Sequence, residues 1–593
     1  MATKQTEQNL DAEGMSREVG LLGLLWASEG SIIGSGWLFG ALTAASIAGP
    51  SAIIAWCIAS VIVIILALVH AELGGLFPVT GGTSRFPHYA FGSLAGATFG
   101  WFAYIQAASV APIEVLAAIQ YMSSASWASG FLKANGTLSG SGILVAVLLM
   151  FVFVIVNLIG VRWLARVNNA LTTWKVLIPV LAIVVFLLFH FHSGNFSGGG
   201  GFFVKGAEFK DILIAIPNGG IVFSLLGFEQ AVQLGGESAN PKRDLPRAVI
   251  GSILLGAAVY ILVQVAFIGA LSPHVLSEGK TWAGLATPGT NPLLKELNAA
   301  PFYSVAKVAA LGWLAVILRI DAVISPGGTG LIYLTSASRI SFGLSKNGYI
   351  PEAFERNSER TKVPVFGITI TAIIGLLFLL PFPSWSKLVG VVTSASVLMY
   401  AGAPLALGAL RLQKPELERA YRLPLGGVLA PLSFVLANFI VYWAGWGTYS
   451  TLMVVMILGF LLMAASAVFK LNPNQPEVDW GAAMWVFPYL VGMGVISYLG
   501  GFGGSGIIGG VGVFKTVLVG GGAKVLTTHP IVNHKLTTLH TIVSSSPHLP
   551  LYWDLLVLAV FSLGIYYLAI AKRLPAAKVD HYVAEVYPPP LGE

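Results

Sequence analysis

The chain has 593 residues, of which 56% are hydrophobic and only 10% charged, against roughly 25% charged in soluble domains. A single soluble core does not grow to this length, whereas a bundle of spanning helices of ~20 apolar residues each does. The net charge of +7 is spread over separate loops, which excludes a nucleic-acid groove and leaves contact with anionic lipid heads as the expectation. One cysteine, Cys57, leaves no intrachain disulfide, and "MATKQTEQNLDAEGMSREVG" lacks the short apolar core of a removable signal peptide.

Fourteen apolar segments follow, near residues 20–47, 50–74, 92–119, 142–161, 169–192, 212–235, 247–271, 303–341, 364–382, 386–410, 427–446, 449–469, 481–500 and 551–571. An even number puts both termini on one side. Every loop arginine, from Arg17 and Arg85 through Arg243, Arg339 and Arg411 to Arg573, then falls on that side, while the alternate loops hold only lysines. By the positive-inside rule the termini are expected in the cytoplasm of a multi-pass cell-membrane protein.

The first span contains its own breaking point. "LLWASEGSIIGSGWLFGAL" holds Glu29 together with Gly30, Gly34, Gly36 and Gly40. Gly36 to Gly40 also fits close helix packing, but a glutamate before two closely spaced glycines and a serine favours local unwinding, which is tolerated at membrane depth only around a protein-enclosed cavity. The second half-helix would then offer free N–H groups near Ser35 to Trp37 to a carboxylate. On the second span His70, two residues from Glu72, is expected in an interfacial structural role. The third span carries Glu114 after Pro112, and the fifth carries Lys175 in "NNALTTWKVLIPVL", a lone ammonium deep in an apolar run. A site built from two repeats requires another interrupted helix about five spans later. The sixth span supplies it in "NGGIVFSLLGFEQAVQLGGE", with Gly227 mid-span between Phe223, Phe228 and the embedded Glu229.

After this span comes "GESANPKRDLPRAV". Together with GSG on the first helix, "FSLLGFE" on the sixth, "AELGGLFPVTGG" closing the second and "SRISFGLSKNGYIPEAF" after the eighth, it resembles the amino acid-polyamine-organocation transporter superfamily over about residues 16–470. Among its members the sequence looks most like bacterial amino acid permeases, including aspartate-proton symporters. The resemblance implies an all-α, leucine-transporter-type bundle: inverted five-helix repeats at 20–192 and 212–410, helices eleven and twelve at 427–469, two extra helices with a Gly-rich loop at 481–571, and a tail at 572–593. It implies an amino acid held by Ile33, Gly34, Ser35, Gly36, Phe223, Gly227, Phe228, Glu114 and Tyr333. Asn169, Thr172 and Lys175 match the N-x-x-T-x-x-K pattern of proton-coupled, sodium-independent members, where the lysine approaches the first-helix break. Glu229 takes the acid of the family's G-x-E. Glu29, Glu114 and Glu229 are either protonatable groups or neutralising partners of Lys175, and the sequence does not separate these readings.

Arg319 and Asp321, on the eighth span, lie two positions apart and face away from each other. Counting back from Arg339 places Arg319 roughly 30 Å away, near the outer boundary, where it would steer an anionic substrate or close an external gate. The glycine tracts after Ser197 and from Gly500 to Gly522 contain no phosphate loop. His529, His534, His540 and His548 fit no compact metal motif, and no metal or cofactor is expected. An enzyme would need a convergent nucleophile and base in the spans, and none is found. The expected activity is proton-coupled amino acid transport by alternating access, with exchange, or a transporter-like sensor or channel, as the alternatives.

Overall fold

The computed structural model describes residues 17–133, 136–159, 161–203, 209–358, 363–379, 385–502, 531–532, 535–536 and 552–586. The glycine tract after residue 502 and the four histidines 529, 534, 540 and 548 lie outside them. The helices that matter are α1 Leu21–Ile32, α2 Ser35–Ala48, α3 Ala52–Leu76, α4 Gly82–Phe91, α5 Ser93–Met122, α6 Gly140–Ile159, α7 Val161–Phe189, α8 Phe209–Asn218, α9 Ile221–Leu225 and α10 Gln230–Gln233. They continue as α11 Pro241–Ala270, α12 Pro301–Val308, α13 Gly312–Lys346, α14 Val365–Phe378, α15 Trp385–Gln413, α16 Gly426–Trp443, α17 Trp446–Val468, α18 Val486–Leu499, α19 Trp553–Lys572 and α20 Ala576–Val586. A two-residue antiparallel pair, Ile531–Val532 with Lys535–Leu536, is remote in sequence from all of the site helices.

Among the described residues, eleven helical stretches are long and apolar enough to span a membrane. The fourteen expected segments map onto them with local differences. Ser35–Leu76 is one apolar run folded as α2 and α3 around the turn Gly49–Ser51, the sixth span is in pieces, and α14 is short at 14 residues. The segment expected at 303–341 is two helices, because the chain turns at Ala310 with φ +58° between α12 and α13. Hydropathy does not register such a turn, since it is built of apolar residues.

α5 and α15 are buried along their apolar length and form the interior, whereas α6 and α17 lie outermost. Polar bonds tie the late helices to α16: Tyr489 donates to Asn438 Oδ1 at 2.7 Å and Asn438 donates to Ser562 at 3.0 Å. Such bonds act as glue where packing alone gains little over lipid. Val19 and α20 share one face of the bundle through their partners. Val19 pairs with Ser238 beyond α10, Gly81 donates to Gln233 O at 3.0 Å, and α20 packs on α4. Arg339 and Glu237, 1% and 2% exposed, meet there at 3.0 Å.

Candidate functional site

Two interruptions abut at the centre. α1 stops at Ile32 and α2 starts at Ser35, with Gly34 in an irregular conformation between them. In the sixth span α9 stops at Leu225 and Gly227 takes φ +125°, a conformation glycine adopts readily and L side chains rarely do. A Cβ at Gly227 would lie 2.8 Å from Ile32 N, and one at Gly36 would lie 2.3 Å from Ser224 Oγ. These two glycines let the breaks touch. Ser28 stitches them further, donating to Phe228 O at 3.0 Å and accepting from Ala231 N at 3.1 Å.

Breaking a helix leaves backbone groups that need partners in a membrane. The carbonyls freed at the end of α1 are met from three other helices. Lys175 of α7 donates to Gly30 O and, at 2.7 Å, to the Thr329 hydroxyl. Thr329 of α13 reaches Gly30 O at 3.0 Å and Ile33 O at 3.3 Å, and Tyr260 of α11 donates to Ile32 O at 2.7 Å. At the start of α2, Ser35 N donates to Glu114 Oε2 at 2.8 Å and Ser35 Oγ to Oε1 at 3.0 Å. An ammonium thus sits at the negative end of one half-helix and a carboxylate at the positive end of the next, complementing both dipoles. The expectation of free N–H groups from Ser35 onward is corrected here: the chain's own Glu114 binds the Ser35 N–H, from 79 residues away.

The sixth break is held by its own acid. Glu229 accepts from Gly227 N at 2.9 Å, Gln230 Nε2 at 3.0 Å, Tyr333 OH at 3.3 Å and Tyr400 OH at 2.6 Å. Glu29, by contrast, is fully buried, and neither of its carboxylate oxygens has a hydrogen-bond partner among the described residues.

Between the breaks lies a small cavity lined by Ser31, Ile32, Gly34, Gly36, Val110, Glu114, Phe223, Leu226, Thr329 and Tyr333, with space for about one water molecule. Of the expected contacts, Gly34, Gly36, Glu114, Phe223 and Tyr333 line it. Ser35 stands behind Glu114, Gly227 packs on Ser31, and Ile33 contributes its carbonyl to Thr329. Phe228 points elsewhere, its ring 4.8 Å from Tyr400 and 5.3 Å from His70. His70 is fully buried in the protein, hydrogen-bonded to Leu66 O and packed edge-on against the sixth break. Among the described residues no group of three His, Cys, Asp or Glu side chains stands close enough to hold a metal ion.

Trp385, Trp37 and Trp174, which sequence reasoning missed, join the expected Asp321 in the packing around the breaks. Trp385, at the start of α15, donates to Ser35 Oγ at 2.8 Å and places its ring 5.1 Å from Phe39 and 5.7 Å from Phe223. Asp321 accepts two indole N–H groups, Trp37 at 3.1 Å and Trp174 at 2.9 Å, and Ser325 at 2.7 Å, so one carboxylate joins α2, α7 and α13. Arg319 lies apart from Asp321, its guanidinium 3.9 Å above the Tyr303 ring of α12. Trp37 meets Phe302 at 5.0 Å, so α12 rests on both. None of these pairings has a local sequence signal, though an aspartate and two tryptophans in apolar runs are visible as residue types.

The sequence profile of the amino acid permease family matches residues 19–496, which contain both breaks and every cavity residue. The chain belongs to this family. It is an all-α membrane transporter of the leucine-transporter type, not an enzyme. It is 36% identical over 494 residues to the glutamate/serine transporter AimA of Bacillus subtilis, covering 82% of this chain and 88% of the relative. It is 32% identical over 569 residues to the aspartate-proton symporter of the same organism, covering 95% and 98%. The serine/threonine exchanger SteT, also from Bacillus subtilis, is 27% identical over 429 residues, covering 71% and 88%. The permease thus transports amino acids across a membrane. The similarity to the symporter also takes in most of the chain beyond the family profile.

Proposed function

We propose that this permease is a proton-coupled, sodium-independent amino acid transporter working by alternating access between repeats at 20–192 and 212–410. The observation that carries the reading is the Lys175 ammonium on Gly30 O and Thr329 Oγ1. Three oxygens converge there, Gly30 O, Ile33 O and Thr329 Oγ1, and a cation on the chain itself fills the place that a bound metal cation would take. A lysine can gain and lose a proton, whereas its carbon stem cannot leave. Glu114 and Glu29 are the acids that exchange protons with it or balance it. Glu114 holds the α2 terminus that a substrate carboxylate would use, so releasing Ser35 and admitting substrate are one event. Glu229, expected from the sequence as a proton-coupling acid, serves instead as the brace of the sixth break.

Small polar and acidic amino acids are the substrates to try first, because the relatives are named for glutamate, serine and aspartate. Arg319, Asp321, Trp37 and Trp385 form the outer closure, and the arginine-bearing face with both termini is the cytoplasmic one. Protons and membrane lipids are the remaining partners. The test is uptake of labelled serine, glutamate and aspartate into proteoliposomes. Uptake that rises with an inward proton gradient and ignores sodium is expected. A sodium requirement at fixed pH would remove the lysine argument, and exchange that needs no proton gradient would make the protein an antiporter like the exchanger it is similar to.

A further inference from the structure

The last helix does no work in the site, yet it is tied closely to the part of the bundle that closes beneath it. α20 presents Val579, Tyr582, Val583 and Val586 on one face, at the spacing of an amphipathic helix, with Val579 fully buried and the others packed on the core. Tyr582 packs edge-on 4.8 Å from His88 and tilted 5.3 Å from Tyr89, both on α4. Just before α20, Leu574 N donates to Ala90 O at 3.0 Å, and Gln413 Nε2 bridges Ala90 O at 3.0 Å and Leu574 O at 2.8 Å. Two ion pairs finish the attachment: Lys414 with Asp580, and Lys578 with Asp479 at 2.5 Å. Burial, and secondarily Arg85, push the His88 imidazole down to about 3, and the neutral ring's Nδ1 hydrogen-bonds the Tyr349 hydroxyl at 2.5 Å, fixing α4 to the segment just after α13.

The N-terminal end of α4 meets the sixth break. Thr83 accepts from Gln233, Gly81 N donates to Gln233 O at 3.0 Å, and a Cβ at Gly82 would lie 3.0 Å from Val232 O. α4 is thus held at its C-terminal end by the tail helix and at its N-terminal end by α10, whose following loop carries the Ser238 pairing with Val19 and the buried Glu237–Arg339 pair.

We infer that opening the cavity toward this face separates α10 from α4 and that α20 is a latch: by anchoring the far end of α4 it keeps α4 seated on α10 and the terminal-face gate shut, and loosening it speeds opening to that side. The ion pairs suit the role because Asp580 and Lys578 remain 65% and 54% exposed and so respond to salt and to neighbouring charge. The inference assumes the transport reading only in naming what the gate serves.

The test is the rate at which a maleimide labels Ser238→Cys in a Cys57→Ala background, in purified protein without substrate. Ser238 is fully buried while the gate is shut. Asp580→Lys is expected to speed labelling by about threefold, the scale of one partly exposed ion pair. Asp580→Glu should leave the rate unchanged, and Tyr582→Ala or a chain ending at Arg573 should speed it further. An unchanged or slower rate in Asp580→Lys overturns the latch, and does so even if the shortened chain fails to accumulate. The readout needs no transport, so failure of the latch and failure of the transport reading are separable.

Discussion

The two broken helices solve the same problem with different materials. In the first span the freed groups are met by Lys175, Thr329, Tyr260 and Glu114, all from other helices, and two of these carry charge that can be gained or lost. In the sixth span the break is closed by Glu229 from inside its own segment, with Gln230 beside it and two tyrosines above. A carboxylate with four donors around it has little reason to change. On the proposed reading the first break is the one that switches and the sixth is the one that is kept.

The largest effects are expected from filling the contact between the breaks. Gly36→Val and Gly227→Val should each lower uptake by about 100-fold or more, the scale of a ~1 Å misplacement at a site, while the protein still inserts. Wild-type affinity in Gly36→Val would put the site elsewhere. Neutralising the acids should then separate the two breaks. Glu114→Gln removes the charge from the bonds to Ser35 and should flatten the pH dependence of uptake. Glu229→Gln should leave that dependence in place and cost roughly 1–3 kcal/mol of stability, because a carboxamide cannot satisfy every donor around it. Thermal unfolding in detergent and uptake across pH measure these, and the opposite pattern would exchange the roles of the breaks. Trp385→Phe should act least. It keeps the ring against Phe39 and Phe223 but loses the bond to Ser35, so a rise in KM of about fivefold is expected, with no change in the maximal rate.

Much of the site is legible because a broken membrane helix breaks composition rules. Glycines beside a glutamate at 29–36, Gly227 before Glu229, and a lone Lys175 all stand out against apolar surroundings. What each group touches is not legible. Glu114 reaches Ser35 across 79 positions, and Trp385 reaches it across 350, distances at which neither helical periodicity nor hydropathy carries information. Asp321 reads in the sequence as a vestibule acid, while its two indole partners come from α2 and α7. His70 misleads for a related reason: its neighbour Glu72 does meet an arginine, Arg411, but the two residues point to different sides of the helix and His70 packs against Phe228 and Tyr400. The division of the eighth segment at Ala310 escapes because a turn made of alanine and leucine has no polar mark.

The most direct measurement compares substrate binding and proton uptake across pH in Lys175→Ala with the same quantities in the parent protein. If Lys175 is the switch at the first break, substrate affinity should survive, since Glu114, Ser35 and the half-helix ends remain, while the pH dependence of transport and the substrate-linked proton uptake disappear. A variant that still takes up protons with the parent's pH dependence would contradict this and assign the coupling to one of the glutamates.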